Sequence, residues 1–264
     1  MVVLSDRWMH GTTAQPPRPA RQRDYNGGDP FSQGKLPGIF MHFWMTSSSA
    51  RWRPWALAAL LACGLSVALG QEPISEKSLN VQLLEFAKRG EEPRARKVLE
   101  AGAAPDSRNR KGETALYMFA RDGNLAGVAM LLERGASVDL AALDKTTPLM
   151  AAASGSHDDV VRALLGAGAD VRAVDQIDKT ALIYAAAGGS AQATALLLDR
   201  GLDVNARYKH DLTVLMWAAG YGKLECIKLL LERGAEPNLR DDRGKTAADI
   251  AREQGYQDVA ALLQ

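Results

Sequence analysis

Residues 147–171 read TPLMAAASGSHDDVVRALLGAGADV, and this stretch decides the fold because its main features return along the chain. Its opening threonine recurs at a constant offset of 33 residues, at Thr114, Thr147, Thr180, Thr213 and Thr246. Five threonines at one spacing indicate an internal repeat rather than a single globular core. An earlier copy of the pattern, which lacks the threonine, begins at Val81.

Apolar residues and glycines recur in register with the threonines. Leucine stands two residues after most threonine sites, as at Leu149, and alanines follow it. Each unit then continues into a pair of apolar residues, such as Leu164-Leu165, and a glycine, such as Gly168. This spacing predicts two short helices per unit, the first capped by the threonine and the second ended by a left-handed glycine. Because one helix pair cannot bury its own apolar face, the units are expected to stack.

These columns resemble the ankyrin repeat, whose pattern T-P-L-H-x-A-A, then G-h-x-x-h-V-x-x-L-L, then G-A-D-h-N is matched most fully by residues 147–171. The resemblance covers residues 81–264 and implies an all-α fold, a solenoid of about six helix-turn-helix units with projecting β-turn loops. The predicted units are 81–113, 114–146, 147–179, 180–212, 213–245 and 246–264. The histidine of the family pattern is absent, so we expect the loops to lack the bracing hydrogen bond that it normally provides.

Both ends of the array depart from the pattern. The first two units carry Phe86 and Phe119 where alanine is expected, and the first unit is predicted to be an N-terminal cap. The last unit stops after its second helix. A C-terminal cap exposes polar side chains, and here these are expected to be Arg252, Glu253, Gln257 and Asp258.

The first 80 residues lie outside the repeat pattern. Residues 1–44 are predicted to be a disordered segment or an upstream extension ahead of the true start, and residues 71–80 a linker. Residues 45–70 have the order of a secretory signal peptide, with arginines first, then an apolar run, then Ala68-Leu69-Gly70. The alternatives for this segment are a hydrophobic anchor and, through Cys63, a lipoprotein signal.

Export is the localisation that this leader predicts. After cleavage the repeats would be periplasmic or secreted. If the segment is retained, the basic flank stays on the cytoplasmic side and the repeats face outward from a single-pass anchor.

Charge, cysteine content and motifs disfavour several classes of function. Lysine plus arginine number 32 against 31 aspartates and glutamates, which argues against a nucleic-acid partner. A disulfide between Cys63 and Cys226 is not expected, because one lies in the leader and the other within a helix. No metal-ligand spacing or catalytic signature is recognisable. We therefore expect neither cofactor nor metal nor enzymatic activity, a structural role for His157, and an inert core thiol at Cys226.

The partner site follows from the resemblance. Ankyrin proteins generally bind partners in the concave groove formed by the first helices and the projecting turns. The predicted turn tips are Arg110-Lys111, Asp144-Lys145, Gln176-Ile177, Lys209-His210 and Asp242-Arg243. The candidate partner-binding residues are Arg110, Lys111, Met118, Asp122, Tyr184, Lys209, His210, Trp217 and Tyr221. Trp217 and Tyr221, four apart on a helix, are the expected exposed hot spot, because aromatic side chains bury a large area with few rotors. The alternative is that Trp217 packs only against the next repeat.

The predicted function is that of a non-catalytic scaffold that binds a protein partner outside the cytoplasm. Two versions stay open. The chain could be an inhibitor or immunity-type partner that occludes another protein, or an accessory that stabilises envelope enzymes.

Overall fold

Short helices and turns build the whole of the described chain. The computed structural model describes residues 76–264, and within this range there are six helix pairs and no β-strand. The first helices of the pairs are α1 (Glu76–Lys88), α3 (Ala115–Arg121), α5 (Pro148–Ser154), α7 (Ala181–Gly188), α9 (Val214–Gly220) and α11 (Ala247–Glu253). The second helices are α2 (Glu92–Glu100), α4 (Leu125–Glu133), α6 (Asp158–Gly166), α8 (Ala191–Leu198), α10 (Leu224–Glu232) and α12 (Gln257–Leu262). The predicted all-α stack of about six helix-turn-helix units is confirmed.

Helix α1 begins earlier than the repeat pattern predicts. Residues 71–80 were expected to form a linker and the first unit to start at Val81, but residues 76–80 are helical. The extra turn carries Leu79, which is buried. Apolar contact therefore extends the helix in the one unit where no threonine marks its start. The predicted extension at 1–44 and the signal or anchor at 45–70 lie outside the described residues.

Threonine caps begin most of the first helices. The hydroxyls of Thr114, Thr147, Thr213 and Thr246 each accept the backbone N–H three residues further on. At Thr246 the cap is reciprocal, because Asp249 also accepts the N–H of Thr246. Thr180 has the same extended backbone, but its side chain makes no cap hydrogen bond. The predicted threonine cap is thus confirmed at four sites and wrong at Thr180.

The two rows of helices form the core between neighbouring units. Each first helix packs against the next one from α1 to α11, and the second helices pack in turn from α2 to α10. The leucines two residues after the threonine sites are at most 1% exposed at Leu116, Leu149, Leu182 and Leu215. Burying one such side chain contributes about 1.5–3 kcal/mol. Stability therefore comes from the interfaces between units, as the repeat pattern predicts.

A left-handed glycine follows each of the second helices α2, α4, α6, α8 and α10. Gly168, after α6, has φ +88, a conformation in which a side chain would be strained. Gly102, Gly135, Gly201 and Gly234 share this conformation. The chain can therefore turn away from the second helix and project a loop before the next unit begins.

Candidate functional site

Five loops and the first helices that follow them form one continuous surface, which we call the loop-helix face. The loops are loop 1 (108–113), loop 2 (141–146), loop 3 (174–179), loop 4 (207–212) and loop 5 (240–245). They precede α3, α5, α7, α9 and α11 respectively. The predicted turn tips lie in turns or, in loop 4, in a short 3-10 helix over Lys209–Asp211, except that the turn of loop 2 is at Leu143 and Asp144, one residue before the predicted Asp144-Lys145.

In three of the five loops a side-chain oxygen at one repeat position accepts two backbone N–H groups of the same loop. Asp175 accepts the N–H groups of Ile177 and Lys179, both at 2.9 Å. Asn109 in loop 1 and Asp241 in loop 5 accept the equivalent N–H groups. Such bonds satisfy the inward-pointing amides of a tight turn and fix its shape.

Main-chain hydrogen bonds join neighbouring loops at three of the four junctions. The N–H of Leu143 in loop 2 donates to the carbonyl of Lys111 in loop 1 at 2.9 Å. Equivalent bonds run from Gln176 to Asp144 at 3.0 Å and from Asp242 to His210 at 3.1 Å. Between loops 3 and 4 the Lys209 ammonium approaches the Asp178 carboxylate, 4.0 Å from Nζ to Oδ2. The main-chain bonds brace the loops that the missing histidine was expected to leave unbraced.

A buried polar cluster connects loop 3 to the helices behind it. The Tyr184 hydroxyl donates to Oδ2 of Asp175 at 2.6 Å. The Lys179 ammonium lies 4.5 Å from the centroid of the Trp217 ring and 6.0 Å from that of Tyr184. Both Asp175 and Lys179 are at least nine-tenths buried. We call Asp175, Lys179, Tyr184 and Trp217 the Asp175 cluster.

The electrostatics of this cluster keep the Tyr184 hydroxyl a donor. Burial raises its pKa, and the hydrogen bond to the Asp175 carboxylate raises it further. A protonated phenol close to a carboxylate and an ammonium over an aromatic face are both stable arrangements in a partly dry site. The cluster therefore holds loop 3 and α7 in one fixed geometry.

Trp217 differs from the sequence-based expectation. It was predicted to be exposed, but it is only 3% exposed, with Lys179 over its ring and Tyr221 stacked beside it at 6.4 Å between ring centroids. The expectation of an exposed tryptophan is wrong, because Lys179, from the loop before α7, covers its ring. Met118, in the same repeat position three units earlier, is also buried. Tyr184 and Tyr221 are half-buried and stay accessible.

A second charged group lies at the other end of the face. Arg121 pairs with Asp122, 2.9 Å from Nε to Oδ1, and approaches Glu113 at 3.8 Å. Burial, followed by the negative charges of Asp144 and Glu113, raises the pKa of Tyr117 to about 12. The predicted Asp122 is thus neutralised by its neighbour on the surface.

The remaining predicted residues lie on the loop tips. Arg110, Lys111, Lys209 and His210 are all exposed. Nδ1 of His210 lies 2.8 Å from Oδ2 of Asp242, so this histidine joins loop 4 to loop 5. The structure therefore brings together Tyr184, Trp217 and Tyr221, and places Arg110 and Lys111 on a separate loop.

Sequence reasoning missed Asp175 and Lys179. A signal for Asp175 was present, because Asn109, Asp175 and Asp241 occupy one repeat position and each can close a turn through its side chain. No comparable signal marks Lys179, because its repeat position also holds Glu113 and Leu212. The role of Lys179 depends on Trp217 in α9.

His157 and Cys226 are structural, as expected. Nε2 of His157 lies 3.0 Å from the carbonyl oxygen of Arg121, and the ring packs over Gly123 and Gly155. Cys226 is buried, and burial raises the pKa of its thiol, which disfavours the reactive thiolate.

Residues 76–264 contain neither a candidate metal site nor a helix that could span a membrane. No group of three or more histidine, cysteine or acidic side chains there is arranged to hold a metal ion. None of the helices in this range has the length and apolar character needed to cross a membrane.

Stacked helix pairs, left-handed glycines and projecting loops define a helical repeat protein. Family comparisons agree. A family model described as ankyrin repeats (3 copies) matches residues 83–175 and 145–208, and one described as ankyrin repeats (many copies) matches residues 196–251. The chain belongs to the ankyrin-repeat family. Comparison with curated proteins gives no match. Ankyrin repeats generally mediate protein–protein interaction as non-catalytic scaffolds.

Proposed function

We propose that this protein is a non-catalytic scaffold that binds a protein partner through the concave groove of the array, on the loop-helix face. The observation that carries the proposal is the rigidity of that face. Main-chain bonds join most of its loops, and the Asp175 cluster anchors the middle loop to the helices. A surface that is already ordered loses little conformational entropy on binding.

Tyr221 and Tyr184 are the proposed anchors of the partner. Both rings are half-buried, so each offers an apolar side without having to rearrange. The stacked Trp217 supports the Tyr221 ring from beneath. Small residues lie alongside on α5 and α7, at Ser154 and Gly188, and leave room for a partner side chain.

A steric block tests this proposal without removing any packed residue. Ser154 is exposed at the end of α5, so Ser154→Arg places a long side chain on the loop-helix face. Gln192→Arg adds the same bulk and charge on α8, in the second-helix row, and is the matched control. Each full-length variant would be used to capture and cross-link proteins from an envelope extract of the source cells.

We expect Ser154→Arg and Tyr221→Ala to lose the proteins that the parent chain and Gln192→Arg capture. Circular dichroism would confirm that every variant remains helical. Equal capture by all variants, with the fold intact, would place the binding surface elsewhere and refute the proposal.

Export belongs to the same proposal. It is supported by the order of residues 45–70, in which basic residues precede an apolar run and small residues. Cell fractionation followed by mass spectrometry of the mature N-terminus tests it. A cytosolic protein that keeps residues 45–70 would contradict it. The identity of the captured partner then separates an inhibitor of a toxic enzyme from an accessory that stabilises an envelope enzyme.

A further inference from the structure

Charge is distributed unevenly along the five loops. Loops 1 and 2 carry four exposed cations, Arg108, Arg110, Lys111 and Lys145, and we call these four together with Leu143 the basic loop edge. None of the four forms an ion pair with any residue of the described chain. The cations of loops 1 and 2 are therefore available to bind an anionic ligand.

Most cations of the loops further along lie close to a carboxylate, an exception being Arg240 in loop 5, which donates to the carbonyl of Gly244. Arg207 lies 3.9 Å from Asp211, and Lys209 lies 4.0 Å from Asp178. In loop 5 the guanidinium of Arg243 pairs with Asp241 at 2.6 Å. The five loops occupy equivalent places in the repeat. The difference in ion pairing between loops 1 and 2 and the later loops therefore comes from their side chains and not from the fold.

An exposed aliphatic side chain lies among the free cations. Leu143 is 67% exposed, although both of its main-chain groups are engaged. Its N–H donates to the carbonyl of Lys111 at 2.9 Å, and its own carbonyl accepts Nε2 of Gln176 at 2.8 Å. The backbone is thus fixed on both sides while the side chain projects from the loop.

The close approach of loops 1 and 2 depends on Gly112. A Cβ atom at this position would lie 2.9 Å from the Leu143 nitrogen. Only glycine allows the two loops to approach this closely. Leu143 and the cations of loop 1 are therefore held at a fixed distance from one another.

From this arrangement we propose that the basic loop edge binds an acidic peptide segment of the partner, with an aliphatic side chain of that segment against Leu143. The inference rests on the proposed function and names the chemistry of the partner. Charge complementarity selects acidic residues, and the projecting leucine selects an apolar one between them.

The same edge is poorly suited to an anionic membrane or to nucleic acid. Asp144 is exposed between Leu143 and Lys145, so a flat or uniformly charged polyanion would be pressed against a carboxylate. A peptide can instead place its carboxylates opposite the cations and a neutral residue opposite Asp144. The chain as a whole also has a net charge of only +1.

Peptide selection tests the proposal without knowledge of the partner. The full chain would be immobilised and exposed to a display library of random peptides, and the recovered peptides would be sequenced and synthesised. We expect enrichment of aspartate and glutamate on both sides of leucine or isoleucine. We also expect the affinity of the best peptide to fall as salt concentration rises, because exposed charges are screened.

Two double variants with the same change of net charge locate the site. Arg110→Ser with Lys111→Ser removes two cations that have no ion pair in the described chain. We expect this change to lower the affinity for the peptide by about tenfold. Arg207→Ser with Lys209→Ser removes cations that are already paired and is the control, with little expected loss. Leu143→Ser should weaken binding while leaving its salt dependence unchanged.

Several outcomes would overturn the inference. These are recovery of no peptide, recovery of peptides without acidic enrichment, and equal losses in the two double variants. Binding only to phosphatidylglycerol-containing vesicles or to duplex DNA, each run in parallel, would also overturn it. If non-acidic peptides are recovered and Ser154→Arg abolishes their binding, the proposed function survives while this inference fails.

Discussion

The ring of Phe119 fills the space that a side chain at Gly127 would need. A Cβ atom on Gly127 would lie 2.6 Å from Cγ of Phe119. The third and sixth units make the complementary choice, with Ala152 and Val160 in one and Ala251 and Val259 in the other at the same two repeat positions. In the second unit a large residue in the first helix is thus matched by the smallest residue in the second helix, which compensates for the volume that the third and sixth units divide between alanine and valine.

This relationship predicts a rescue by double substitution. Phe119→Ala should cost about 3–5 kcal/mol through the cavity it leaves, and Gly127→Val about 1–3 kcal/mol through overpacking. The double variant recreates the pairing of the third unit. Its loss should be smaller than the sum of the single losses by about 2 kcal/mol. Urea unfolding of all four chains measures this coupling.

A control for this cycle is available in α6. Gly166→Val adds the same side chain at a helical glycine whose Cβ would meet no atom within 4 Å, so it should change stability little. Strictly additive losses in the double variant would show that Phe119 and Gly127 do not share one space.

Gly112 and Gly244 offer a test of the contact between loops. Both have nearly the same backbone, with φ +76 and +77, so alanine strains both by about 1–2 kcal/mol. Only at Gly112 does the added Cβ meet the next loop, at the Leu143 nitrogen. Gly112→Ala should therefore melt at a lower temperature than Gly244→Ala and should speed amide exchange at Leu143. Equal melting temperatures would contradict the close approach of loops 1 and 2.

The fold could be predicted from the sequence because its determinants repeat. The Thr147 cap, the Leu149 core position and the left-handed Gly168 recur in register in most units. The same physical argument therefore predicts the structure of each of these units. The start of α1 at Glu76 was not predicted in this way. It depends on the burial of Leu79 in a unit that lacks the repeating cap.

The candidate site could be predicted only in part. The loop tips follow from the repeat register, but the exposure of Trp217 does not. The exposure of Trp217 is decided by Lys179, which comes from another unit and stands at a repeat position where most units carry a different side chain. Contacts between units decide whether such a side chain is exposed, and the pattern within one unit does not predict those contacts.

The Asp175 cluster predicts a large effect from a small change in loop 3. Asp175→Asn leaves one acceptor oxygen where three donors converge: the Ile177 N–H, the Lys179 N–H and the Tyr184 hydroxyl. A donor left unsatisfied in a buried site costs about 1–3 kcal/mol, and we expect a loss of about 2 kcal/mol. Thermal unfolding monitored by circular dichroism measures it.

Asp178→Asn is the matched control for this change. Asp178 is exposed in the same loop, and asparagine tolerates its left-handed backbone, so the loss should stay within about 0.5 kcal/mol. Comparable losses in the two variants would mean that the cluster does not stabilise the array.

Acid should destabilise the C-terminal units through Asp241 and Asp249. Although burial opposes it, the N–H of Lys245 and the Arg243 guanidinium lower the pKa of Asp241, and the backbone N–H of Thr246 leads the causes that lower the pKa of Asp249. A carboxyl whose pKa is lower in the folded state binds protons more readily when unfolded. Its stabilising effect is complete above the unfolded pKa of about 3.9 and is lost as pH falls through the folded value.

The free energy of unfolding should therefore decrease as pH falls below about 4, with a shallower slope in Asp241→Asn than in the parent chain. Urea unfolding at a series of pH values measures both slopes. Glu236→Gln, at an exposed carboxyl without an ion pair in the described chain, should keep the parental slope. If Asp241→Asn kept that slope as well, the hydrogen bonds to Asp241 would not be what links proton binding to the stability of these units.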